Sequence, residues 1–99
     1  MYFLGRKKAF LVDGDSMLPT LNSGDVVLLD KATDFQVGDL VLAEHPFRSN
    51  VRIIKRIAEI TPEGRFILKG DNTSESTDSR TFGAVSIESI LGRVICRLK

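Results

Sequence analysis

Apolar and polar positions in this chain come in short runs, and several runs alternate with the period of two that marks strands. Ala9–Val12 is the first apolar run. Asp25-Val26-Val27-Leu28-Leu29-Asp30 is the second, and its unbroken apolar centre predicts cover on both faces. Leu40–Glu44 reads as a third strand behind the turn Val37-Gly38-Asp39. In Val51-Arg52-Ile53-Ile54-Lys55-Arg56-Ile57, alternation puts Val51, Ile53, Lys55 and Ile57 on one face and Arg52, Ile54 and Arg56 on the other. After Ile60, Thr61-Pro62-Glu63-Gly64 predicts a hairpin to Arg65–Lys69, which returns Gly70–Asn72 to the Lys55 end of its partner. Ser86–Ile90 reads as one helical turn capped by Ser86, and Leu91–Leu98 as a closing strand. Short strands separated by glycine-bearing turns predict an all-β, barrel-like domain.

The stretch Val12-Asp13-Gly14-Asp15-Ser16-Met17-Leu18-Pro19-Thr20-Leu21 interrupts the strand pattern with a tight Gly-Asp turn followed by a serine. Pro19 fixes its own φ near the helical value, so a short helical turn is expected behind Ser16. A hydroxyl at a strand-to-turn junction is rigid and exposed, and its own N–H can face a cleft. Those are the needs of a nucleophile whose oxyanion is stabilised by the main chain. On these residues alone the stretch reads also as a plain polar turn.

A serine nucleophile needs a base. The single histidine, His45, sits in Glu44-His45-Pro46, where the proline biases it toward an extended loop. Lys55 is the other candidate, because β-branched apolar neighbours on its own face would desolvate it. Desolvation lowers a lysine pKa by penalising the ammonium form. The alternative is a snorkelling lysine, with a packed stem and its head in water.

Composition narrows the field further. Ninety-nine residues make one domain, taken as 1–99, and 42% hydrophobic with 27% charged residues is an ordinary globular balance. A net charge of +1 gives no reason to expect nucleic acid as a partner. One cysteine, Cys96, and one histidine are too few for a structural zinc site, so no metal and no cofactor are expected. The apolar Met1–Leu4 is cut short by Gly5-Arg6-Lys7-Lys8, well under the roughly 20 apolar residues of a membrane-spanning helix. No transmembrane anchor and a cytoplasmic location are therefore expected.

Gly14-Asp15-Ser16-Met17-Leu18-Pro19-Thr20-Leu21, followed by Gly24-Asp25, resembles the nucleophile box of type I signal peptidases. Ile54-Lys55-Arg56-Ile57 is similar to their general-base box. Gly70-Asp71-Asn72, followed by Ser76-Thr77-Asp78-Ser79-Arg80, is similar to their third signature, and Gly92-Arg93-Val94 resembles their closing segment. The resemblance implies the signal-peptidase and LexA-like fold of coiled sheets with a small barrel and one or two short helical turns. It implies Ser16 as nucleophile, Lys55 as general base, Ser76 as the hydroxyl that aims the amine, and Asp78 with Arg80 as a supporting ion pair. One oxyanion donor would be the Ser16 N–H. Where some signal peptidases carry a second donor hydroxyl two residues before the nucleophile, this chain has Gly14.

The implied reaction is hydrolysis of a peptide bond through an acyl-enzyme, on a substrate bound extended along strand edges, with Val12 and Ile54 lining its side-chain pockets. The segments around His45-Pro46 and Asp78–Gly83 look most like the soluble maturation proteases of nickel-type superoxide dismutase, so the expected partner is a pro-superoxide dismutase. Two other readings are a self-cleaving LexA-like repressor domain and a peptide-binding module without catalysis.

Overall fold

The computed structural model describes residues 7–32, 34–72 and 83–98. Six antiparallel strands form one sheet: β1 (Lys7–Leu11), β2 (Val26–Asp30), β3 (Leu40–Glu44), β4 (Arg52–Ile60), β5 (Phe66–Lys69) and β6 (Ile90–Arg97). Their order across the sheet is β1-β2-β6-β3-β4-β5. Register shifts at Leu28/Leu29, Leu42/Ala43 and Ile57/Glu59 interrupt the ladders. Such bulges bend and twist the strands that carry them, so the sheet coils.

Coiling lets both faces of the central strands bury a core. On β3 and β4, Leu42 and Ile54 are cross-strand partners and join Val12, Met17, Leu21, Val27 and Leu29 in one apolar cluster. Their sequence neighbours point the other way. Val41 and Ala43 of β3 and Ile57 of β4 join Phe66, Leu68 and Val85 in a second cluster, with Ile53 packed against it. Each fully buried aliphatic side chain contributes on the order of 1.5–3 kcal/mol.

The all-β expectation holds, and strand boundaries fall within a residue or two of those the pattern predicts. In β2 the cover is uneven: Val27 and Leu29 are buried, whereas Val26 and Leu28 are only partly so. The 60–66 hairpin forms as expected, closed by Thr61 N–H to Arg65 O and Gly64 N–H to Thr61 O. The two helical expectations are met by single turns. Residues 16–20 form turns closed by Leu18 N–H to Asp15 O and Leu21 N–H to Met17 O, and the Leu18–Pro19 peptide is cis. Ile87–Ser89 does form one 3-10 turn, but Ser86 gives it no side-chain cap.

Candidate active site

Ser16 is placed by a loop that the sheet pins at both ends. Val12 N–H donates to Asp25 O (2.8 Å), and Gly24 N–H returns to Val12 O (2.8 Å). Between them the chain turns at Gly14, whose φ of 94° is left-handed backbone that a side chain disfavours. Gly14 N–H donates to Ser23 Oγ (3.0 Å), tying the turn to the loop's return limb. Met17, only 1% exposed, plugs the loop into the first core directly behind Ser16.

Lys55 is placed by the sheet itself. It lies on β4 opposite Val41, and shares its face with Ile53 and Ile57. At 2% exposure it is the one buried charged or polar side chain among the described residues. Snorkelling into water is therefore not its state. Ser16 and Lys55 line one cleft of about 270 Å³ together with Asp13, Gly14, Asp15, His45, Arg48 and Ile53. A cleft bordered by both groups is the geometric precondition for passing a proton from the hydroxyl to the amine.

The Gly-Asp-Asn segment is the third piece. β5 pairs with β4 from Arg56↔Lys69 onward, which delivers residues 70–72 to the nucleophile loop. Asn72 N–H donates to Ser16 O (2.9 Å), and Asn72 Nδ2 to Asp15 O (3.0 Å). Asp71 accepts from the Thr20 hydroxyl and takes a bidentate pair from Arg56, Nε to Oδ1 (2.9 Å) and Nη2 to Oδ2 (2.8 Å). Arg56 also reaches Gly38 O (2.8 Å). Hydrogen bonding from Arg56 holds the Asp71 carboxyl below its ordinary value, against an opposing push from burial, and the Thr20 hydroxyl adds to the lowering. The same bond raises Arg56. So Arg56, on the face of β4 turned away from Lys55, clamps the loop that carries Ser16.

Of the residues singled out in the sequence, Ser16 and Lys55 come together. Val12 and Ile54 are core residues, 5% and 6% exposed, that also line a small pocket of about 70 Å³ beside Ser16, with Phe10, Asp13, Met17, Arg52 and Ile53. Ser76, Asp78 and Arg80 lie outside the described residues. Phe47 is 73% exposed, its ring edge-on to His45. Sequence reasoning set His45 aside as a loop residue and passed over Arg48, yet both reach the cleft. The reason is tertiary: Glu44 pairs with Arg52, so the loop between β3 and β4 emerges near Lys55.

A family model described as Peptidase S24-like matches residues 5–95. The chain belongs to the S24-like peptidases. It is 38% identical to mitochondrial inner membrane protease subunit 1 of Schizosaccharomyces pombe, over 89% of this chain and 71% of that protein. The corresponding subunit 1 of Xenopus tropicalis is 31% identical, over 89% and 66%. Subunit 2 of the same protease from Mus musculus is 35% identical, over 77% and 58%. The chain thus spans about two thirds of the length of these peptidases.

These relatives correct one expectation and narrow another. A cytoplasmic location is overturned, because the relatives are proteases of a mitochondrial inner membrane. Among the described residues no helix is long and apolar enough to cross a membrane. The relatives are named as proteases, and none of those named is a maturation protease of superoxide dismutase.

Proposed function

We infer that this domain is a serine endopeptidase that removes a segment from a precursor protein, with Ser16 as nucleophile and Lys55 as its general base. The observation that carries this reading is the shared cleft: a partly exposed serine and a buried lysine, brought in by separate elements, border one space in a chain of a peptidase family. Neutral Lys55 takes the Ser16 proton as the oxygen attacks the scissile carbonyl. The amine then protonates the leaving nitrogen, and a water repeats the sequence to free the acyl group. Among the described residues the Ser16 N–H donates to no protein acceptor, which leaves it available as an oxyanion donor.

Strand edges support an extended substrate. β5 covers β4 only from Arg56 to Ile60, and β1 pairs only with β2 in the described sheet. Phe10 and Val12 on one side and Arg52–Ile54 on the other border Ser16 in the small pocket, where an extended chain can lie. Ser76, Asp78 and Arg80 keep the supporting roles that the signal-peptidase resemblance implies.

The test is cleavage of precursor proteins by the purified domain, with the nickel-type superoxide dismutase precursor and an inner-membrane precursor as separate substrates. Intermolecular cleavage that is lost in both Ser16→Ala and Lys55→Ala is the expected result, and the substrate that is cut decides the specificity. Activity should rise with pH as the lysine deprotonates; a flat profile from mildly acidic to alkaline pH overturns the base assignment. Cleavage confined to the enzyme's own chain favours the repressor-like alternative, and binding without cleavage favours the inactive module.

A further inference from the structure

The cleft that holds Ser16 and Lys55 has a wall that the catalytic scheme does not use. The loop between β3 and β4 brings Arg48 to it. That loop is internally tied: His45 N–H donates to Val51 O (2.8 Å), and Phe47 N–H to His45 Nδ1 (3.1 Å). Asn50, with φ of 63°, takes the left-handed conformation in which the chain turns back into β4. Arg48 is thus presented by a hydrogen-bonded loop at a fixed place on the rim.

Its guanidinium is uncommitted. Arg56, Arg93 and Arg97 each meet a carboxylate of the protein, at Asp71, Asp39 and Asp25. Arg48 is exposed, and among the described residues its side chain has no such partner. Asp13 and Asp15, both exposed, border the same cleft from the Ser16 loop. Charge across the cleft is therefore polarised, positive on the β3–β4 loop and negative on the nucleophile loop. A carboxylate entering it is repelled from one wall and drawn to the other. A guanidinium suits that carboxylate because its planar fork can donate two parallel hydrogen bonds.

We propose that Arg48 is a specificity-determining residue, which takes the carboxylate of a substrate aspartate or glutamate within about two residues of the scissile bond at strand spacing. The assignment rests on the peptidase reading of Ser16 and Lys55, since it is their shared cleft that places the scissile bond beside Arg48. Asp13 and Asp15 sharpen it, because they disfavour an acidic residue that lies against the Ser16 loop instead. The guanidinium is exposed, so its contribution is modest and falls with salt.

The test is to digest a synthetic library of random peptides with the wild-type domain and to read the cut sites by mass spectrometry. Aspartate and glutamate should be enriched about fivefold at one position near the cut bond, and the enrichment should fade as salt rises. Arg48→Ala should cut without that enrichment. Arg48→Glu should favour lysine or arginine at the same position, a reversal that a merely structural role for Arg48 does not produce. Thermal midpoints of both variants should match wild type, because the side chain is exposed. Cleavage by wild type with no acidic enrichment, or enrichment that survives in Arg48→Glu, overturns the assignment and leaves the peptidase reading standing. So do cuts confined to the last residues of the peptides, since Arg48 then holds a terminal carboxylate and not a side chain. A wild type that cuts nothing removes the peptidase reading, and this assignment falls with it.

Discussion

The two residues at the centre of the site are held in opposite ways. Ser16 rides on a partly exposed loop fixed by polar contacts from distant parts of the chain: Ser23, Asn72, and the Thr20–Asp71–Arg56 clamp. Lys55 sits inside a ladder, opposite Val41, in a sheet with apolar cores on both faces. A loop held by hydrogen bonds can be loosened one contact at a time, and its position degrades gradually. A lysine buried inside a ladder is placed by its strand, so substitution changes the group it offers and not where the backbone sits. Under the proposed roles, placing Ser16 is a matter of many small energies, and the state of Lys55 is a matter of one large one.

Lys55→Met tests the large energy. It removes a buried amine and keeps the volume, so kcat should fall by about 10²–10⁴-fold. If the amine acts as a base and not as a structural partner, the thermal midpoint should report a change of no more than about 1 kcal/mol in stability. A parallel fall in stability would mean that the amine is a structural partner and not a poised base.

Asp71→Asn tests the clamp. Loss of the bidentate pair with Arg56 should cost about 1–2 kcal/mol in denaturant unfolding, discounted for partial exposure. It should also lower kcat more than it raises KM, since the loop carrying Ser16 loses its brace. The pair has a definite pH signature. The folded carboxyl lies below its ordinary value of 3.8, so its stabilisation is complete above that pH and is lost as pH falls through the lower folded value. The Asp71→Asn variant should therefore show a flatter acid limb than wild type. Equal acid sensitivity in both would remove the clamp from the account.

Gly14→Ala is the smallest. A Cβ there meets nothing within 4 Å, so the cost is confined to holding φ at 94° and should be about 1 kcal/mol. Calorimetry checks it. A much larger loss would show that the turn, and not the polar clamp, is what seats Ser16.

By itself the sequence determined the elements and named the candidates for chemistry. Apolar runs between turns located the six strands, and alternation along β4 put Lys55 with Ile53 and Ile57 and Arg56 on the far face, because strand geometry is local. The Gly-Asp-Ser turn and the strand lysine were legible as nucleophile and base candidates for the same reason: each rests on a few adjacent residues. Tertiary structure decided what depends on which strands pair. The order β1-β2-β6-β3-β4-β5 brings Arg56 to Asp71, Asn72 to Ser16, and His45 and Arg48 into the cleft, and no window of sequence contains those pairs. The turn expected behind Ser16 forms, but its ties to the Gly-Asp-Asn segment come from residues more than fifty positions away. Long-range pairing sets the register, and the register sets which polar groups can meet.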